Sequence, residues 1–105
     1  PASPPEITEA VSWGPTAIKI SWKAPRFTNG PLLAYHLQVT SLNSSDLPKV
    51  MDVAVGDGRD KVITEVITLL QPGMPYNINL MARNRFGLGP SSSKNITTLP
   101  KELGK

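Results

Sequence analysis

The sequence predicts an all-β fold, an antiparallel sandwich of seven short strands around one core. Three observations predict it. Apolar residues alternate with polar ones at a period of two in several separate runs, the pattern of a strand with one dry and one wet face. Eleven prolines and eight glycines punctuate those runs and form no low-complexity tract. No stretch carries the 3.6-residue periodicity of an amphipathic helix. The chain has 105 residues, 39% of them hydrophobic, which suits one domain with one core.

Residues 1–5, PASPP, are extended and rigid and read as a linker into a domain spanning 6–100, with 101–105 a polar exit. The start lacks the charged and apolar regions of a signal peptide, as would a domain cut from a longer chain. No run of about 18 apolar residues is present to cross a membrane. Ile7 to Val11 alternates weakly and is expected at an edge, guarded by the prolines before it. Ser12-Trp13-Gly14-Pro15 is a turn. Ile18, Ile20 and Trp22 then share one face against Lys19, Ser21 and Lys23. Asn29-Gly30-Pro31 turns the chain into Leu32–Ser41, where Tyr35, Leu37 and Val39 oppose His36, Gln38 and Thr40. Val50–Val55 is a short strand, Gly56–Lys61 a hairpin connection, and Lys61–Leu70 the next strand.

The clearest run follows. Leu70-x-Pro72-Gly73-x-x-Tyr76 turns a corner, because proline fixes one φ and glycine frees the next. Tyr76, Ile78, Leu80 and Ala82 then alternate with Asn77, Asn79, Met81 and Arg83. Asn84–Pro90 reads as a loop, and Ser92–Leu99 as the last strand with Ile96 inward.

A leucine, a corner and a tyrosine opening a central strand resemble the tyrosine corner of β-sandwich domains. The chain is most similar to the fibronectin type III family. The likeness rests on Pro4-Pro5, on Trp22 with Pro25, on Gly30-Pro31-Leu32 before Tyr35, and on Leu70-x-Pro72 with Tyr76. It extends through Ala82-x-Asn84-x-x-Gly87-x-Gly89-Pro90 to Thr98-Leu99-Pro100. The resemblance implies an immunoglobulin-like pair of sheets, ABE and C′CFG, with Trp22, Tyr35, Leu70, Pro72 and Tyr76 as structural core. One residue departs from it: Glu65 stands at an inward position between Ile63 and Ile67, where burying an unpaired carboxylate is costly. Either Glu65 lies near an open edge, or a bulge turns Val66 inward.

Little in the chain supports catalysis, and no cofactor or metal is expected. His36, the one histidine, falls on a wet face, and the eight carboxylates are scattered. Gly56-Asp57-Gly58-Arg59-Asp60-Lys61 lacks the third glycine and following helix of a dinucleotide loop. An EF-hand starting at Asp57 needs glutamate where Thr68 stands. Gly58-Arg59-Asp60 is not the Arg-Gly-Asp tripeptide that some members of the family carry. With no cysteine, disulfides and thiolate metal sites are excluded. A net charge of +3, dispersed along the chain, does not demand an anionic partner, and nucleic acid is not expected.

Interaction is the better-supported role. Asn43-Ser44-Ser45 and Asn95-Ile96-Thr97 are glycosylation sequons, which point to an extracellular setting. Met81 and Arg83 on the wet face, with Arg85, Phe86 and Leu88 in the adjoining loop, are candidates for a protein partner. The family resemblance implies that Phe86 packs back on the sheet. Trp13 is either an interface anchor or a lid against Pro15. Arg83, Arg85 and Lys94 are a candidate cluster for a glycosaminoglycan. The expected role is a non-catalytic spacer and interaction module, monomeric in isolation, joined in tandem to neighbouring domains of a receptor or adhesion protein. An intracellular scaffold bead is the alternative.

Overall fold

The computed structural model describes residues 3–55 and 62–101, and among these it contains no helix. One sheet consists of β1 (Glu6–Ser12), β2 (Ile18–Lys23) and β5 (Ile63–Ile67), in the order β1-β2-β5. The second places β4 (Lys49–Val53), β3 (Ala34–Ser41) and β6 (Pro75–Asn84) side by side. β7 (Gly87–Leu88) and β8 (Ser92–Thr97) both pair with the far edge of β6. All pairings are antiparallel. These are the ABE and C′CFG sheets expected, and the fold is an all-β sandwich of fibronectin type.

The eighth strand is a refinement of the seven-strand expectation. Asn84–Pro90 is not simply a loop: β6 runs through Asn84, and Gly87–Leu88 folds straight back on it. Leu88 stands opposite Arg83 and Ser92 opposite Leu80, so residues 89–91 face only Met81 and Ala82. That is one extra residue, a bulge at Gly89-Pro90 where proline cannot donate to the ladder. β7 and β8 are therefore one strand interrupted. The hairpin expected at Gly56–Lys61, with Asp57 and Asp60, lies outside the described residues.

The core follows the alternation. Along β6, Tyr76, Ile78, Leu80, Ala82 and Asn84 are buried, with every intervening residue half-exposed. Tyr76, Ile78, Leu80 and Ala82 share one core cluster with Tyr35, Leu37 and Val39 of the neighbouring β3 and with Ile18, Ile20 and Trp22 of β2 in the other sheet. The Trp22 and Tyr35 rings meet edge to face, 5.4 Å apart at 73°, a geometry that suits their opposed ring-face and ring-edge charge. Burial raises the Tyr35 phenol above its ordinary value, and the neighbouring Trp22 indole partly offsets this. Tyr76 closes the corner: its hydroxyl accepts the Gln71 backbone N–H at 2.8 Å.

Pro72 is a correction. It is exposed at the corner and belongs to no core; it sets the backbone angle of the turn, while buried Leu70 supplies the apolar contact. Glu65 takes the first of its two alternatives. β5 pairs with β2 in unbroken register, Ile20 opposite Glu65, so no bulge intervenes and Val66 faces solvent. Glu65 keeps its inward position half-buried because β5 is an edge strand. An inward charge there discourages another strand from pairing with that edge.

Candidate interaction surfaces

The outer face of the C′CFG sheet is built from residues of opposite parity to the core. His36 on β3 stands between Asp52 on β4 and Met81 on β6. The Asp52 carboxylate bridges the strands: one oxygen meets His36 Nδ1 at 2.9 Å, the other accepts from Arg83 Nη2 at 2.9 Å. The His36 hydrogen bond, followed by the Arg83 charge, holds the Asp52 carboxyl below its ordinary range. Arg83 is thus engaged, and Met81 is half-buried beside it. Further along the face, Asn79 donates to Asn77 at 2.9 Å, and Asn77 donates to Ser93 at 2.9 Å and Asn95 at 2.8 Å. Asn95 therefore uses its carbonyl oxygen within the ladder. Its amide nitrogen, the atom that carries sugar in a glycoprotein, makes no hydrogen bond among the described residues.

Asn84 organises the pole at the other end of β6. It is 2% exposed. Its amide donates to the Thr28 carbonyl at 2.9 Å, and its side-chain oxygen accepts the Phe86 N–H at 2.8 Å. One side chain thereby fastens the β6–β7 turn to the loop after β2. The glycines and proline after Asn84 give it the look of a loop residue, yet it continues the inward parity of Tyr76 to Ala82, and that parity is the signal for it. Ser3 pins the same loop, exchanging hydrogen bonds with the Phe27 backbone. The turn so held presents Phe86 at 64% exposure, with the Arg85 guanidinium 4.9 Å above its ring. This overturns the packing expected of Phe86: the two-residue return to β7 keeps it at the turn, off the sheet. Leu88 and Phe27 are exposed at the same pole.

The other candidates are spread out. Trp13 is 55% exposed in the turn after β1, with Lys19 Nζ 4.7 Å from its ring, so it does not close the sandwich against Pro15. The Arg83–Arg85–Lys94 cluster does not form. Lys94 pairs opposite buried Ile78 and so lies on the core side of β8. There it lines a cleft of about 690 Å³ with Arg26 and Glu6. Arg83 lies on the outer side, committed to Asp52. Asn43 is exposed in the loop after β3. Among the described residues no three His, Cys, Asp or Glu are grouped to hold a metal ion.

The profile of the fibronectin type III domain matches residues 3–98. The chain belongs to the fibronectin type III family. In this family the domain itself is not catalytic. Protein sidekick-2 of Mus musculus is 36% identical over 88 residues, 83% of this chain and 4% of the relative. Netrin receptor DCC of Homo sapiens is 33% identical over 89 residues, 85% of this chain and 6% of the relative. Proto-oncogene tyrosine-protein kinase ROS of Mus musculus is 29% identical over 98 residues, 93% of this chain and 4% of the relative. The chain thus spans one module's length of far larger proteins. The FN5 domain of Drosophila Lar superposes with a TM-score of 0.75 at 26% identity, over 96% of this chain and all of that one.

Proposed function

We propose that this chain is a non-catalytic spacer and protein-interaction module of a larger cell-surface protein, and that it meets its partner through the pole carrying Arg85, Phe86 and Leu88. The observation that carries this is Phe86, a large ring held in solvent by a turn fastened through buried Asn84. An aromatic and an arginine on a rigid support lose little freedom on binding, which is the composition of interface hot spots. Phe27 extends the apolar area. Family membership and the likeness to modules of a receptor and a tyrosine-protein kinase support the receptor setting.

Asn43 and Asn95 are the proposed glycosylation sites, both exposed at the end of the C′CFG sheet remote from Phe86. Sugar at either leaves the proposed pole uncovered. The test is glycopeptide mass spectrometry on the full-length protein from its native cells. Glycan on either asparagine supports the extracellular setting, and bare asparagine at both raises the intracellular scaffold bead to an equal alternative, since sequons are often skipped.

A further inference from the structure

Along one side of the sandwich two strand edges face each other unpaired. Among the described residues β1 pairs only with β2, and β8 only with β6. Every second residue of such an edge turns its N–H and C=O away from its single neighbour. No backbone hydrogen bond joins β8 to β1 among the described residues, and one side-chain bond, from the Ser92 hydroxyl to the Pro5 carbonyl, ties the two sides together. Clefts of about 690 Å³ and about 270 Å³ follow this seam and share Ile7 and Lys94, so they form one groove.

Two cations stand on its wall. Lys94 pairs opposite Ile78 and Ile96 opposite Tyr76, so both carry the inward parity of β8 and face the seam. Arg26 lines the same cleft. Neither the Lys94 ammonium nor the Arg26 guanidinium has an ion pair among the described residues. Glu6, the acid on that wall, stands opposite Lys23 on the outer parity of β1 and offsets the two cations only in part. An inward lysine on an edge strand repels an incoming apolar strand, because docking would bury its charge unpaired. A strand with a carboxylate opposite Lys94 removes that cost, and Arg26 supplies a second set of donors. The guard thereby selects which strand is admitted.

We propose that the β1–β8 seam binds an extended acidic peptide, which adds a strand to the free edge of β8 and sets a carboxylate between Lys94 and Arg26. Residues two positions to either side of that carboxylate share its face and meet the apolar part of the groove, Ile7 and Ile96. Ser92 to Ile96 gives ~17 Å of edge, room for about five residues of peptide. A sulfated polysaccharide fits less well, since it makes no use of the backbone edge and meets two cations beside an acid. Asn95 faces the outer side with Asn77, so sugar there projects away from the groove. Phe86 is not on the wall, and the site is separate from the pole proposed above.

The test is an amide NMR titration of the chain with a blocked heptapeptide carrying glutamate at its centre, valine two residues to either side and threonine elsewhere. The expected result is saturable shifts at the amides of residues 92–97, with slowed hydrogen exchange along β8. The same peptide with glutamine at its centre should bind about tenfold more weakly or worse. Arg26→Gln should weaken the glutamate peptide with an unchanged thermal midpoint, whereas Phe86→Ala should not affect it. Lys94→Glu should reject the glutamate peptide and accept one with lysine at its centre, a reversal that lost folding cannot produce. Absence of shifts at residues 92–97 up to millimolar peptide overturns the proposal and leaves Lys94 a guard alone. Equal affinity for the glutamate and glutamine peptides overturns it, as do shifts at those amides with a heparin oligosaccharide but not with the peptide.

Discussion

Asn84→Ala tests the link between the fold and the proposed interaction pole. The substitution removes two hydrogen bonds at once, stranding the Thr28 carbonyl and the Phe86 N–H. An unsatisfied buried group costs about 1–3 kcal/mol, and both bonds are partly buried, so a total of about 2–4 kcal/mol is expected. At about 3 kcal/mol the ratio of folded to unfolded protein falls more than a hundredfold. Urea unfolding followed by tryptophan fluorescence measures this, with the slope unchanged because the core is unchanged. Hydrogen exchange supplies the local readout: the Phe86 amide should lose protection while amides in the middle of β6 keep theirs. Asn84→Asp keeps the acceptor for Phe86 but sets an oxygen against the Thr28 carbonyl, so it should restore Phe86 protection without restoring full stability. An Asn84→Ala variant within about 0.5 kcal/mol of the parent, with Phe86 still protected, refutes the fastening argument.

Three other substitutions have defined outcomes. Tyr76→Phe strands the Gln71 N–H and should lose about 1 kcal/mol or more in urea unfolding; no loss would show that the corner bond does not stabilise the fold. Glu65→Val exchanges a half-buried carboxylate for an apolar side chain opposite Ile20. It should gain about 1 kcal/mol while making the protein more prone to thioflavin-positive aggregation on heating, because the β5 edge loses its guard. Unchanged aggregation would remove that role from Glu65. Asp52→Asn probes the outer face. The Asp52 carboxyl is held below its ordinary value, so its charged form stabilises the fold at neutral pH. That contribution fades as pH falls below about 4, through the folded-state value. Parent and variant should therefore differ at pH 6 and converge in acid; a gap that persists in acid contradicts the charge-based account.

The strands were legible because period-two alternation survives without knowledge of their neighbours. Tyr76 to Ala82 could be placed inward from the chain alone, and the parity of Glu65 could be read the same way. What was missed depends on register between distant strands. Arg83 and Lys94 look like neighbours until the bulge at Gly89-Pro90 and the pairing of Lys94 with Ile78 put them on opposite sides of a sheet. Asp52 acquires meaning only when β4 sets it beside His36. Asn84 was obscured by the glycines and proline that follow it, which dominate any local reading of that stretch. The left-handed backbone at Leu69 is imposed by Thr16 and Tyr76, neither adjacent in sequence, so no local pattern reveals it.

The most direct measurement places a photo-crosslinking amino acid at Phe86 in the full-length protein, on intact cells, with Thr64 on the opposite sheet as the comparison position. The account predicts a discrete protein adduct from position 86 and none from position 64. No adduct from position 86, or equal adducts from both positions, would contradict a partner-binding pole at Phe86.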